Sequence, residues 1–204
     1  MEQKSVEQIK DEIVLAALDH VVFDGWSWKT LCRGAEDAGY NEQKLRAVFP
    51  SKLESALDHF SDMADRWMME KLSALEPADM RIRDRIRHGV LTRIHVLEPY
   101  KEAVHASISY WSVPPRQARA GKMTWRTADL IWNWAGDTSK DYNHYTKRCL
   151  LSGIVASTIF VWCQNDDPEL KRTTDFLDAR IGNVMDFGRI IGKLKNNIFC
   201  RKNA

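Results

Sequence analysis

"DGWSWKTLCRGAEDAGYNEQKLRAVFPSKLESAL", residues 24 to 57, decides the fold. Asp24-Gly25 halts a helix that begins near Ser5 and carries Ile9, Ile13, Ala16, Ala17 and His20 on one stripe. Ser27 is placed to cap a second helix over 28–38, which Gly39 ends, and Asn41 caps a short helix over 42–48. Pro50-Ser51-Lys52 then opens a long helix ending near Glu76-Pro77. Short helices joined by a tight glycine-containing turn are helix-turn-helix punctuation.

Hydrophobic residues keep helical spacing beyond this unit. A basic helix over 79–97 turns Ile82, Ile86, Val90, Ile94 and Leu97 inward, and a further helix restarts at Pro99-Tyr100 and runs to Trp111. Val113-Pro114-Pro115 breaks the chain. Helices over 117–135, 139–164 and from Pro168 to about 186 follow, the last with Leu170, Thr174, Leu177, Ile181 and Met185 aligned. No alternating strand pattern competes, so the expected class is all-α. Its expected units are a helix-turn-helix unit at 1–49, a larger helical domain at 50–186, and an amphipathic segment at 187–204.

The composition, 44% apolar and 28% charged, is that of a globular protein with enough apolar surface to bury a core. Cys32, Cys149, Cys163 and Cys200 lack metal-binding spacing and fit a reducing compartment, where buried small hydrophobes are their expected state. The N-terminal MEQKSVEQIKDE has neither secretory nor transit-peptide character, so a cytosolic start is expected. The most apolar run, "CLLSGIVASTIFVWC" (149–163), falls short of the about 20 residues of a membrane span and reads as a helix buried in protein. Charge divides unevenly: residues 1–72 carry net −5 and 73–204 net +7.

The opening stretch resembles the TetR family of regulators: a Gly before helix two, an "A-G" turn, a short recognition helix ending in Phe49, and a fourth helix begun by a Lys. That implies a TetR-like fold. DNA binding is disfavoured: Arg46 stands where such helices present a phosphate-touching Tyr, and a net −5 region repels phosphate before Lys44, Arg46 or Lys52 can act. A ligand-responsive repressor is the alternative reading.

A second resemblance spans more of the chain. "LEPY" (97–100), "LIWNWAGDTSKDYNHYTKRCLLSGI" (130–154) and "TTDFLDARIGNVM" (173–185) are similar to the ubiquinone-biosynthesis accessory protein family, itself built on the TetR-like fold. The pattern W-x-x-A-G-D-x-S-x-D-x-N-x-Y-T-x-R covers Trp132 to Arg148, with His144 where the family usually carries Trp. The resemblance implies a non-enzymatic, cofactor-free homodimer. Such a protein binds a polyisoprenoid quinone or phospholipid and presents an intermediate to the demethoxyubiquinone hydroxylase, peripheral to the inner membrane of a bacterium.

Read from its residues, 134–148 contains a capped helix start, with Thr138 or Ser139 as cap and Asp141 favourable near the positive end. Steps of three and four align Asp141, Tyr145 and Arg148 with His144 at the edge, a docking stripe to which Ile131 is added. A di-iron site is a third reading, from Asp141-x-x-His144 and Glu102-x-x-His105, but the helix over 117–135 offers only Asp129 as a further carboxylate. No metal ligand is therefore assigned. With the family as guide, a lipid cavity is expected among Ile94, Leu97, Tyr110, Trp111, Leu130, Trp134, Leu151, Ile154, Val155 and Thr158. The tail aligns Phe187, Ile190, Ile191, Leu194 and Ile198 opposite Arg189, Lys193 and Lys195, a pattern suited to a membrane surface.

Overall fold

Each early helix is begun by its own side chains. The computed structural model describes residues 4–185. Helix α1 (Val6–Asp24) opens on a capping box in which Ser5 accepts from the Gln8 amide and Gln8 accepts from the Ser5 amide. Gly25, at φ 67°, ends it. Ser27 caps α2 (Trp28–Asp37), Gly39 turns the chain at φ 80°, and Asn41 caps α3 (Glu42–Val48). Helix-turn-helix geometry therefore follows from local rules.

Helices α4 (Leu53–Leu72), α5 (Ile82–Leu97), α6 (Lys101–Trp111), α7 (Pro114–Trp134) and α8 (Tyr142–Cys163) follow, and α9 runs from 171 to the last described residue. Every regular element among the described residues is helical, as the all-α expectation required. Several ends differ from expectation. A 3-10 turn at Pro77–Asp79 delays α5 to Ile82. Pro114 and Pro115 begin α7 rather than only breaking the chain, because first-turn positions need no amide hydrogen. Asp141, not Thr138 or Ser139, caps α8. Leu170, at φ 54°, delays α9 beyond Pro168.

One apolar core runs from Ile9 in α1 to Ile181 in α9. Ile82 and Met185, expected inward, are exposed because each lies at an outer helix end. Cys149 is exposed and Cys32 and Cys163 are half-buried, against the expectation of fully buried thiols; Cys200 lies outside the described residues. So do Phe187, Ile190, Ile191, Leu194 and Ile198. Helix α8 is long and apolar enough by length and composition to cross a membrane, with a third of that window buried. Its buried residues Leu151, Val155, Thr158 and Trp162 face the core, while Cys149, Gly153, Ala156 and Phe160 form an exposed strip.

Helix α4 serves two neighbourhoods. His59 and Arg66 pair with Asp11 of α1 at 2.6 Å each. On another side, Phe60 meets Trp26 and Tyr100, and the Trp26 indole donates to the Ala103 carbonyl at 2.8 Å, joining the N-terminal unit to α6. A close helix contact is at Gly34 of α2, where an added Cβ would lie 2.6 Å from backbone and side-chain atoms of Ala17. Gly34→Ala should therefore destabilise the protein by about 1–3 kcal/mol despite alanine's better helix propensity, read as a lower thermal midpoint. A raised midpoint would show that α1 and α2 separate freely.

Candidate functional site

Five helices enclose a cavity of about 270 Å³. Its wall is mostly apolar: Leu57, Phe60 and Ala64 from α4, Leu97 from α5, Val104, Ile108 and Trp111 from α6, Met123 from α7, and Val155 and Ile159 from α8. Exposed Ser112, Ala156 and Phe160 mark its rim, and buried Arg93 lies in its floor.

The expected lipid residues separate into groups. Leu97, Trp111 and Val155 line this cavity, whereas Leu151 and Ile154 line a second of about 150 Å³ beside α9. Ile94 and Thr158 are buried and line neither, the Thr158 hydroxyl being spent on the Ile154 carbonyl at 2.7 Å. Tyr110 is covered by the Arg116 guanidinium at 3.9 Å, Leu130 packs on the core, and the Trp134 indole donates to the Leu72 carbonyl at 3.1 Å. These four core or edge placements, with Thr158, correct the expected lining. The α4 wall was missed, although Leu57, Phe60, Ser61 and Ala64 already had one-face spacing.

Beneath the cavity, the Asp65 carboxylate accepts from Arg93, from the Arg126 Nε at 2.8 Å and from the Thr127 hydroxyl at 2.8 Å. Arg93 also donates to Ser61 Oγ at 3.0 Å. Burial pulls the Arg93 guanidinium below its ordinary range.

The segment Trp132–Arg148 forms the α7–α8 turn. Gly136 adopts φ 84°, and the Trp132 indole donates to the Lys147 carbonyl at 3.1 Å. Arg148 is 1% exposed and is not part of an outer docking stripe, which corrects that expectation. It donates to Asp129, to Asp137 at 3.0 Å, to Asn133 at 3.0 Å and to the His144 carbonyl at 3.3 Å. Asp137 also accepts from Lys147 at 2.6 Å and from the Ser139 hydroxyl at 2.8 Å. Burial alone would raise the Asp137 carboxyl, but these bonds outweigh it and hold the group well below the usual carboxylate range.

Ile131 is likewise enclosed, against Gly89 of α5, because an added Cβ there would come within 2.6 Å of it. The outward groups are Asp141, Tyr142 and Tyr145, with half-buried His144 held by the Ser139 carbonyl at 3.0 Å and edge-on to Tyr145. Trp125 of α7 lies 6.3 Å from Tyr145, centroid to centroid. Glu102 and His105 join no group of three or more metal-ligating side chains among the described residues. On α3, Arg46 is already paired with Glu42 at 2.5 Å and lies over Trp28.

Residues 117–188 match the COQ9 family. The chain is 30% identical to "Ubiquinone biosynthesis protein COQ9, mitochondrial" of Rattus norvegicus, over 95% of this chain and 64% of that protein. Its identity to the Homo sapiens protein of the same name is 28%, over 95% of this chain and 63% of that one. The chain thus spans just under two thirds of the length of these relatives. A solved structure titled "Crystal structure of the TetR transcriptional regulator from Nitrosomonas europaea ATCC 19718" matches with a TM-score of 0.68 at 18% identity, covering 86% of this chain and 97% of that one. The Trp132–Arg148 pattern lies within the residues that match the COQ9 family, and the fold is TetR-like.

Removing the buried guanidinium leaves Oδ2 of Asp137, a side chain 4% exposed, without its partner, while Lys147 and Ser139 still hold Oδ1. Arg148→Met should destabilise the protein by about 3 kcal/mol, measured by denaturant unfolding; a loss under about 0.5 kcal/mol would show the cluster is incidental. Because the Asp137 carboxyl is depressed on folding, its contribution is fully present above its unfolded value near 3.8 and is lost as pH falls through the folded value. Asp137→Asn should flatten that acid limb of a stability profile.

Proposed function

Taking kinship with the COQ9 family on a TetR-like fold as the premise, we propose that the protein serves ubiquinone biosynthesis as a lipid-binding accessory protein and not as an enzyme. One observation carries the reading: an apolar cavity opens at Ala156 and Phe160 on the same helix whose N-terminal end presents Tyr142 and Tyr145 outward. A polyisoprenoid quinone intermediate seated there exchanges bilayer contacts for protein contacts of similar apolarity. Transfer is then close to thermoneutral and reversible, as a carrier needs. The cavity lies just below the roughly 300–1,000 Å³ of small-molecule sites, so a ring and the start of a tail are the proposed occupants.

Docking of the demethoxyubiquinone hydroxylase falls to Tyr142, Tyr145, His144 and Asp141, with Arg148 and Ile131 supporting them from beneath. Tyrosines concentrate binding energy at interfaces because they bring large contact area at small entropic cost. The carrier is proposed to act as a homodimer that leaves the Ala156–Phe160 mouth of the cavity open. The relatives are named as mitochondrial proteins. For this chain the proposed place is the inner membrane face of a bacterium, to which the net +5 of residues 187–204 is attracted. The regulator reading gains no support from α3, where Glu42 already neutralises Arg46.

Mass spectrometry of copurifying lipids tests the carrier reading. A polyprenylated quinone should be recovered, and Ala156→Trp at the rim should remove most of it with the thermal midpoint retained. Recovery of bulk phospholipid alone, or unchanged quinone in the variant, would overturn the reading. The double substitution Tyr142→Ala, Tyr145→Ala should weaken hydroxylase binding about tenfold or more in a pull-down or titration. Unchanged binding would return the aromatic cap to ordinary surface.

A further inference from the structure

Most polar groups in the cavity wall are already spent on the protein. The hydroxyls of Ser107, Ser112 and Thr124 donate to carbonyls of their own helices at 2.7, 2.8 and 3.2 Å, and that of Thr127 donates to Asp65 at 2.8 Å. Arg93 is different. Its Nη1 is taken by Asp65 and its Nη2 by Ser61, yet its buried Nε has no partner among the described residues. Ser61 accepts from Arg93 and has no acceptor for its own proton among those residues. Two donors at the floor are thus left unspent.

A buried donor without a partner costs free energy that a ligand can recover, and more so on a charged group. The available chemistry also limits what that ligand is. Asp65 is shared by Arg93 and Arg126, and Arg126 also pairs with Asp58 at 3.3 Å, so the floor's charges already balance and a second anion gains little there. Nη1 is held by Asp65 and Nη2 by both the carbonyl and the hydroxyl of Ser61, at 3.3 and 3.0 Å, so neither the end-on fork nor the side-on Nε–Nη2 fork is free to grip phosphate or carboxylate in bidentate fashion. What remains are single donors suited to a neutral acceptor oxygen.

We propose that Arg93 and Ser61 anchor the head group of the cavity's ligand by donating to a neutral ring oxygen, the carbonyl or ether oxygen of a quinonoid lipid. The ligand enters ring-first and leaves its tail at the Ala156–Phe160 rim. This rests on the lipid-carrier reading above and adds which end of the lipid is recognised, and by what.

The test uses delipidated full-length protein and three probes: a short-chain prenylated 1,4-benzoquinone, the matching prenylbenzene without ring oxygens, and a short-chain phosphatidylglycerol. Titration should give the quinone an affinity about tenfold above prenylbenzene. Arg93→Met, which leaves Asp65 paired with Arg126 and Thr127, should abolish that margin while prenylbenzene affinity changes less than threefold. If that variant fails to fold, the comparison of probes on the unmodified protein decides alone. Equal affinities for quinone and prenylbenzene, both lost in Ala156→Trp, would overturn the anchor and leave the carrier standing. Tightest binding by phosphatidylglycerol would overturn the neutral-oxygen assignment. Binding of no probe, or binding indifferent to Ala156→Trp, would overturn anchor and carrier together.

Discussion

The guanidinium of Arg148 holds α7 and α8 in register, and the cavity depends on that register. From nearly two turns inside α8 it reaches Asp129 and Asn133 on α7 and Asp137 in the connection. Farther along the same pair of helices, Met123 and Thr127 face Val155 and Ile159 across the cavity. Sliding α8 by one helical turn, about 5.4 Å, would carry these walls out of opposition. A buried ion cluster gains little net stability over a well-packed apolar one, so its value here is in selecting one alignment.

Helix α4 links this hairpin to the N-terminal unit. Its Asp11-facing residues, His59 and Arg66, complete the packing of the helix-turn-helix region, while Leu57, Phe60 and Ala64 form a cavity wall. Phe60 touches Trp26, whose indole is tied to α6. The helix-turn-helix region is therefore fastened to the cavity through rings and an indole hydrogen bond. That gives the helix-turn-helix region a structural role in bracing the cavity.

Legibility in the sequence followed range. Gly25, Ser27, Gly39 and Asn41 act within four residues of themselves, and the ends they set were read correctly. Arg148 was misplaced because periodicity puts Asp141, Tyr145 and Arg148 on nearby faces without saying which face has a neighbour. Its partners lie 19, 15 and 11 residues back, on another helix and in the connection. The Asp65 cluster joins residues 28 and 61 apart, with no local pattern to announce it. Aromatic side chains misled in the other direction. Trp134 and Tyr110 look like cavity residues by size, but the indole hydrogen bond of one and the guanidinium over the other give them different work.

The Trp132–Arg148 turn also bears on how such chains diverge. In the Trp132–Arg148 pattern, the fixed letters Gly136, Asp137, Ser139 and Arg148 belong to the folded turn itself, through a positive φ or a shared ion cluster. Tyr142 and His144 occupy open letters, and Tyr142 is 79% exposed. Substitution at the first set disturbs the hairpin and everything aligned by it; substitution at the second leaves the hairpin's ion cluster intact. The signature therefore holds two kinds of letter, those that set the turn and, in Asp141 and Tyr145, those that face outward, so one short run of sequence carries both the hairpin and the surface it displays.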